Sequence, residues 1–502
     1  MSQFFHYGPI MFGLIHFSSK SSYCTEGSVF KKFTPMVAYC LYEMRVKISK
    51  ITQKKDLYAY INVDKIEDEN KIIYCSVVSY FENIHDDDIM EYICVANWKR
   101  TKRINKLFSN MEEIDLTPNR KNFTNINIYS IDPPNCKDID DALHIYYDEI
   151  KDEYEIGIHI ADPSSYIEEN SELDGELLKR TETIYNYNHR KEPINMIDDI
   201  LGIKHISLLA DGNMKRSMSI IVKIKIYENN FQIMDVKFEK GNIFIEKNLT
   251  YDEAKNIINT NSNNDLLLLY KIGELLNREE EYDVHVMIAN YMILANNLTA
   301  EYLQKYDNNN VLLRSHKIKL TDNRRRYSNI NPNLIKKYEL CYYEQAKYIV
   351  GSENSNHDGL DIKYYTHMTS PLRRYFDILV HRQLWKMMNG EKFSENINQI
   401  IIDNINYSKT LYKNTLRYMK ILNISKKIGN SEILEATIIY IDDEKNKMRL
   451  YIEKYDLEYD LIIKDKRIEN IELDIKLYLF KKINVKIISS REPFLKFYFE
   501  FL

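Results

Sequence analysis

The amino-acid sequence predicts a multidomain protein of the α+β class. A chain of 502 residues is too long for one compact core, since single domains usually hold about 100 to 200 residues. Short strand-like runs dominate both ends of the chain, whereas the middle mixes strands with long helices. We therefore expect a β domain, a large α+β domain and a second β domain in succession.

Residues 1–110 are predicted to contain at least one small β-barrel. Strand-like runs at Ala59–Val63 and Ile72–Val78 are separated by polar turns, as is typical of small all-β domains. The basic stretch Lys99–Lys106 follows. It could cross a phosphate backbone, or it could be a plain solvated linker.

Residues 111–425 are predicted to form the large α+β domain. Glu155–Ile160 alternates apolar and polar residues in the manner of a strand, and Asp283–Leu303 is apolar without glycine or proline. The second pattern is long enough for a buried helix.

Residues 430–502 are predicted to form a second barrel. Ile433–Ile441 and Met448–Ile452 flank a polar turn and predict a hairpin, and further strand-like runs continue to the C-terminus. Five short strands indicate an OB-type barrel, a fold that often holds single-stranded nucleic acid.

Composition excludes some classes of protein and leaves the substrate open. A net charge of −5 with 28% charged residues gives no overall positive field, so any basic surface must be local. The six cysteines form no C-x-x-C pair, which favours reduced thiols over a disulfide or zinc framework. No apolar run approaches 18 residues and no secretory leader is evident. We therefore expect a soluble cytoplasmic protein that does not bind membranes.

Four carboxylates are crowded into the short run Ser130–Ala142, namely Asp132, Asp138, Asp140 and Asp141. Like charges this close repel one another unless a cation or solvent relieves them. Oxygen-only ligands favour a hard ion such as Mg²⁺, which keeps coordination positions for water and for a substrate phosphate. The alternative is a plain acidic loop at the surface.

A second informative run extends from Thr366 to Leu384. Ser370 and Pro371 predict a helix start, and Arg373 and Arg374 would then lie in the first turn, where the helix dipole disfavours cations. A bound phosphate would offset that cost. Alternatively, both arginines pair with carboxylates such as Asp377 or those of the aspartate run.

Together the two runs predict phosphodiester hydrolysis, in which a metal activates water and an arginine stabilises charge on phosphorus. His159 and His367 lie beside these runs. Isolated histidines at such spacings are more often structural than zinc ligands, so we do not expect a zinc site.

These runs and several shorter ones resemble the ribonuclease II family, which includes ribonuclease R and the catalytic exoribonuclease of the exosome. The similar segments occur in the family's order over half of the chain: Asp132–Ala142, Ile158–Pro163, Arg180, Ile184–Tyr185, Asn195–Met196, Ser207–Leu209, Leu249–Tyr251 and Thr366–Leu384.

The resemblance implies a 3′→5′ exoribonuclease that hydrolyses single-stranded RNA to 5′-nucleoside monophosphates. It implies a central RNB catalytic domain between cold-shock-like and S1-like barrels, and Mg²⁺, with Mn²⁺ as a substitute, bound by the four aspartates. Arg373 would contact phosphate, and the other implied substrate-binding residues are Tyr185, Tyr251, Arg374 and His367.

The resemblance also implies a monomer that works alone or with the partners of an RNA-decay complex, in the cytoplasm or the nucleus. The alternative is a catalytically inactive RNA-binding protein on the same scaffold. The intact set of four aspartates favours the enzyme, because uncompensated carboxylates are costly to keep when no metal binds.

Overall fold

The computed structural model describes the following residues, to which all structural statements apply: 11–19, 23–25, 28–36, 43–48, 55–67, 69–82, 84–85, 93, 119–185, 193–228, 230–277, 281–318, 330–353, 355–393, 399–442, 447–462, 467–468, 471–472, 479–490 and 495–502. The predicted basic stretch Lys99–Lys106 lies outside them. The chain divides into two compact units: the first comprises Met1–Ala96, His316–Ala346 and Lys409–Leu502, and the second Asn97–Ser315 and Lys347–Ser408.

The N-terminal part of the first unit is a β-barrel. Five strands close a ring in the order β1-β5-β6-β4-β3, because β1 pairs with both β5 and β3, and β2 is added beside β3. The predicted strands at 59–63 and 72–78 are confirmed within β5 and β6. The bounds are β1 Met11–Ile15, β2 Tyr23–Thr25, β3 Ser28–Pro35, β4 Glu43–Ile48, β5 Leu57–Glu67 and β6 Ile72–Phe81.

The second unit is built on a seven-stranded sheet in the order β13-β8-β9-β10-β11-β12-β7. The predicted strand at 155–160 is confirmed within β10, which is buried along its second half because it lies at the centre of this sheet. The bounds are β7 Lys121–Phe123, β8 Tyr129–Asp132, β9 Asp141–Asp148, β10 Glu153–Ala161, β11 Lys215–Tyr227, β12 Asn230–Ile243, β13 Lys247–Thr250, and, in a separate hairpin, β14 Leu312–Ser315 and β15 Lys347–Val350.

Helices cover this sheet and complete the apolar core. The predicted long helix is confirmed as α5: the side chain of Asp283 accepts from the backbone N–H of Val286 and caps it, and Tyr291 is fully buried in its middle. The helices of the second unit are α1 Glu172–Arg180, α2 Asp199–Leu201, α3 Tyr251–Asn259, α4 Asn264–Leu275 and α5 Val284–Tyr306, and, further along the chain, α7 Tyr375–Met388. Helix α6 Pro332–Leu340 belongs to the first unit, and α8 Gln399–Ile428 begins in the second unit and ends in the first.

The C-terminal part of the first unit contains the predicted hairpin, β16 with β17, in a five-stranded sheet of order β18-β17-β16-β21-β22. Helix α6 packs against β16, and the ammonium of Lys337 contacts Asp456 and Glu458 at 2.9 and 3.1 Å. The bounds are β16 Ser431–Asp442, β17 Lys447–Ile452, β18 Leu457–Ile462, β19 Arg467–Ile468, β20 Ile471–Glu472, β21 Lys482–Ser490 and β22 Lys496–Phe501.

The observed architecture confirms the predicted α+β multidomain fold. It adds one feature that the sequence did not predict: segment 316–346 groups with the first unit, although it lies inside the contiguous range 111–425 predicted for the central domain. The predicted boundaries at 110, 425 and 430 stay predictions.

Two further sequence expectations concern thiols and membranes. Cys75, Cys136 and Cys341 are free thiols, as expected of cysteines outside a disulfide framework. Within the described part of the chain, no helix is long and apolar enough to cross a membrane.

Candidate active site

The aspartate run lies where two adjacent strands of the second unit meet. Strand β8 ends at Asp132, a turn follows, and strand β9 begins at Asp141. The turn is tight because Cys136 donates its backbone N–H to the carbonyl of Pro133 and Asn135 adopts a positive φ of 64°. The backbone carbonyl of Asp140 accepts from the N–H of Ala161 in β10. Three strands thus fix the backbone that carries the carboxylates.

Asp140 connects the aspartate run to the arginine run, 232 residues away. Its side chain is 5% exposed. One carboxylate oxygen accepts from the backbone N–H of Leu372 at 2.9 Å, and the other accepts from Nε of Arg373 at 3.3 Å. Nη2 of Arg373 also donates to the hydroxyl of Ser370 at 2.9 Å. The Arg373 side chain keeps 44% exposure, so its guanidinium is held in place and still reaches solvent.

The helix start predicted at Pro371 is wrong. Helix α7 begins at Tyr375, and the two arginines precede it in a turn. The reason is that Asp377 reaches back and accepts the backbone N–H of Ser370 at 2.8 Å, which holds the segment before the helix in a turn. The predicted conflict between the arginines and the helix dipole therefore does not arise.

Burial and mutual repulsion make three of the four aspartates, Asp132, Asp140 and Asp141, unusually hard to ionise. The pKa of Asp132 is raised to about 6 and that of Asp140 to about 7, chiefly by burial and also by neighbouring Asp138, against the lowering effect of Arg373. The pKa of Asp141 is raised well above its ordinary value by burial and by Asp132 and Asp140. One carboxylate oxygen of Asp132, Oδ2, is buried without a hydrogen-bond partner.

This donor set fits a hard cation chemically. The oxygen ligands, their mutual repulsion and the buried Oδ2 of Asp132 leave a demand for positive charge that Arg373 alone does not meet. Among the side chains that the structure describes, however, no three His, Cys, Asp or Glu groups already stand together as a ready-made metal cluster. A divalent ion here would draw its remaining ligands from water or from a substrate phosphate, as Mg²⁺ commonly does.

Tyr185 lies beside the aspartates. Its hydroxyl donates to Asp138 at 3.2 Å, and its pKa is raised by burial and then by that carboxylate. A backbone bridge between Glu182 and Arg374, with the N–H of Thr183 donating to the carbonyl of Arg373, ties its segment to the arginine run. Tyr185 is thereby brought together with both predicted runs.

Tyr251 lies near the same carboxylates, at the end of the edge strand β13. It is the first residue of α3 and follows Thr250, which pairs with Asp132 in the parallel register of β13 and β8. Burial, then Asp141 and Asp132, raise the pKa of Tyr251 to about 12. Its ring stacks on the imidazole of His285, with ring centroids 3.6 Å apart.

Arg374 and His367 form a half-buried network behind Arg373. The guanidinium of Arg374 contacts Asp377 at 2.8 Å and Nδ1 of His367 at 3.0 Å, and Tyr348 contacts the same nitrogen at 2.9 Å. Both arginines thus pair with carboxylates, which was one of the two alternatives that the sequence left open. Contact of Arg374 or His367 with substrate stays a prediction.

His159 takes the structural role expected of it. It is buried between His144, at 2.7 Å, and the hydroxyl of Ser219, at 2.8 Å.

Sequence reasoning missed two groups at this site. The backbone N–H of Leu372 binds Asp140, but a main-chain donor has no sequence signature. His285 lies in a segment that the sequence singled out only as a helix, and no local pattern relates it to Tyr251. Either contact becomes visible only when distant segments are brought together in three dimensions.

Comparison with known sequences gives one matching family model and a set of similar curated proteins. The RNB domain matches residues 120–278 and 269–390. The human exosome complex exonuclease RRP44 is 26% identical over 74% of this chain and 47% of its own length. Ribonuclease R of Helicobacter pylori (strain ATCC 700392 / 26695) is 25% identical over 54% of this chain and 49% of its own. The chain spans about half the length of these curated relatives.

Solved structures share the fold. Mycoplasma genitalium RNase R in complex with ribose methylated single-stranded RNA matches with a TM-score of 0.68 and 18% identity, covering 98% of this chain and 89% of that one. Yeast Ssd1, a pseudonuclease, matches with a TM-score of 0.64 and 15% identity over 96% and 68%. At such low identity these similarities concern the fold alone.

Proposed function

This chain belongs to the RNB domain family, and from that membership we propose that it is an exoribonuclease acting on single-stranded RNA. It removes nucleotides from the 3′ end and releases 5′-nucleoside monophosphates. The observation that carries the proposal is the link through Asp140, which brings four carboxylates and an exposed arginine to one place.

Arg373 is the residue proposed to contact the scissile phosphate. Its guanidinium is fixed by Ser370 and Asp140 and remains partly exposed, so it can offer N–H donors without first being ordered. Preorganised donors directed at developing negative charge usually make a large contribution to catalysis. The planar guanidinium also suits the oxygens of a phosphate.

The four aspartates Asp132, Asp138, Asp140 and Asp141 are proposed to hold Mg²⁺, with Mn²⁺ as a substitute. When bound, such an ion supplies a nucleophilic water at neutral pH and neutralises charge on phosphate. Tyr185 orients the carboxylate of Asp138 through its hydroxyl. Tyr251 and Tyr185 are proposed to pack against the terminal nucleotides, since stacking on aromatic rings tolerates every base.

The main alternative is an RNA-binding protein that no longer cleaves. One solved structure with the same fold is a pseudonuclease, so the fold fits both functions. The complete set of four aspartates favours the enzyme, because the raised pKa values of Asp132, Asp140 and Asp141 mark a site that is unfavourable without a cation.

A time course on a 5′-labelled unstructured RNA tests the proposal. The reactions contain Mg²⁺, EDTA, or Mg²⁺ with a substrate whose 3′ end carries a phosphate. We expect stepwise shortening from the free 3′ end in Mg²⁺ alone. RNA that stays intact in every lane while still binding the protein would support the non-catalytic alternative.

We propose that the chain acts as a monomer in the cytoplasm or nucleus, with RNA-decay proteins as partners. Sedimentation of the purified protein would test whether it is a monomer, and recovery of proteins bound to a tagged chain would test the proposed partners.

A further inference from the structure

Tyr251 and His285 form a stacked pair of rings beside the carboxylates. The two rings are nearly parallel, with an interplanar angle of 22° and centroids 3.6 Å apart. Tyr251 is half-buried, whereas His285 is exposed. One face of the imidazole therefore lies on Tyr251 while the residue remains open to solvent.

The pair lies next to the proposed chemistry. Tyr251 directly follows Thr250, whose Cα is paired with that of Asp132 across the parallel strands. The raised pKa of Tyr251, caused by burial and then by Asp141 and Asp132, is in accord with this closeness. A group stacked on the rings would thus be within a short reach of the aspartates.

Both rings belong to the first turn of a helix, a position that commonly binds anions. The first turn of α3 also carries Asp252 and Glu253, and the cap of α5 is Asp283. These carboxylates offset the positive ends of the helix dipoles and repel phosphate. An uncharged planar group is the better occupant.

We propose that His285 is a further substrate-binding residue, and that its imidazole and Tyr251 together form a two-ring platform on which a base of single-stranded RNA stacks. The inference rests on the proposed function, which it deepens by naming the residue that holds a base near the carboxylates. Every base has an aromatic face, so the platform serves all four bases.

The proposal is tested by binding rather than by cleavage. The experiment uses full-length protein carrying Asp140→Asn, to keep the RNA intact, and a fluorescent single-stranded oligoribonucleotide. Three changes are made at His285. His285→Ala removes the ring, His285→Phe keeps a ring without nitrogen, and His285→Gln keeps polarity without a ring.

We expect the alanine and glutamine variants to bind RNA about fivefold more weakly or worse, because loss of one stacked base costs roughly 1 to 3 kcal/mol. The phenylalanine variant should bind within about twofold of the parent. Oligoribonucleotides of A and of U should both be affected. A matched control is Tyr146→Ala, which removes an exposed ring from the second unit and should leave binding unchanged.

A second readout follows stacking directly. RNA carrying 2-aminopurine near its 3′ end should lose fluorescence on binding to the parent and to His285→Phe, and should keep more of it with His285→Ala and His285→Gln. A role in folding alone would not produce this pattern. Because His285 is exposed, all variants should unfold near the temperature of the parent.

Three results would overturn the inference. Unchanged or tighter binding by His285→Ala would mean that the imidazole merely covers Tyr251. If His285→Gln kept RNA binding and His285→Phe lost it, the imidazole would act by hydrogen bonding and not by stacking. Failure of every protein to bind RNA would reject the platform as well.

The proposed enzyme is tested separately, with protein in which Asp140 is intact. RNA binding without cleavage by that protein would reject the proposed enzyme, while the comparison of the variants would still decide the role of His285.

Discussion

Replacing Asp140 with asparagine separates the proposed chemistry from the fold. In the wild-type protein the backbone N–H of Leu372 donates to Oδ1 of Asp140 at 2.9 Å. The side-chain oxygen of an asparagine can still accept this hydrogen bond. It loses the ion pair with Arg373, but that arginine is 44% exposed, so the pair contributes only about 0 to 1 kcal/mol to stability. The change also removes a buried carboxyl group whose pKa is raised to about 7. We expect the free energy of unfolding to change by about 1 kcal/mol or less.

The effect on cleavage should be far larger. Loss of one preorganised charged group at a reaction centre commonly lowers the rate by about a hundredfold to a thousandfold. Asp140 both faces the other aspartates and holds the guanidinium of Arg373, so its loss should weaken both parts of the site. RNA binding should remain, because the change leaves Tyr185 and Tyr251 in place.

The assay follows shortening of 5′-labelled RNA in Mg²⁺, together with thermal unfolding and RNA binding of the same protein. A matched control is Asp235→Asn, which neutralises an exposed carboxylate on β12 and should cleave at the wild-type rate. Cleavage by Asp140→Asn within about tenfold of wild type would refute the assignment of this carboxylate. A large loss of thermal stability would instead show that Asp140 mainly supports the fold.

Three other changes test the site and its supporting sheet. Arg373→Lys should lower the rate of cleavage about tenfold or more with little change in unfolding temperature. A lysine cannot reproduce the separate contacts that the guanidinium makes with Asp140 and Ser370. Cleavage at the wild-type rate would count against this. Gly157→Ala should lower the free energy of unfolding by about 1 to 3 kcal/mol or more, since a Cβ there would lie 2.0 Å from the ring of His144. An unchanged midpoint of denaturant unfolding would contradict this. Burial is the largest single effect on the pKa of Asp162 and raises it, but Arg120 at 2.7 Å, His381 and Ser164 together outweigh burial and hold this pKa well below the ordinary value. The ionised Asp162 therefore stabilises the fold above about pH 4, and this stabilisation is lost as the pH falls further. Asp162→Asn should lower the free energy of unfolding most near neutral pH and progressively less in acid. A loss of unfolding free energy that grows in acid would contradict this.

Regular elements were predictable from local patterns. The long helix α5 and the strands β5, β6 and β10 follow directly from apolar periodicity over a few turns or alternate residues. The start of α7 could not be predicted in this way, because Ser370 and Pro371 have the local properties of a helix start although the helix begins later. Asp377, seven residues later, binds the backbone there and holds it in a turn.

The sequence by itself determined which chemical groups this protein has available. Four aspartates in a short run, two adjacent arginines and an ordered set of motifs were enough to predict a phosphodiesterase site and a family. Their types and spacing are local properties, and the repulsion among close carboxylates follows from charge alone.

Only the tertiary structure decided how those groups are used. It brought Asp140 to Leu372 and Arg373 across 232 residues, and it turned Arg374 toward Asp377 and His367. It also stacked His285 on Tyr251. These contacts depend on strand register and on the packing of helices against a shared sheet, which no short stretch of sequence encodes.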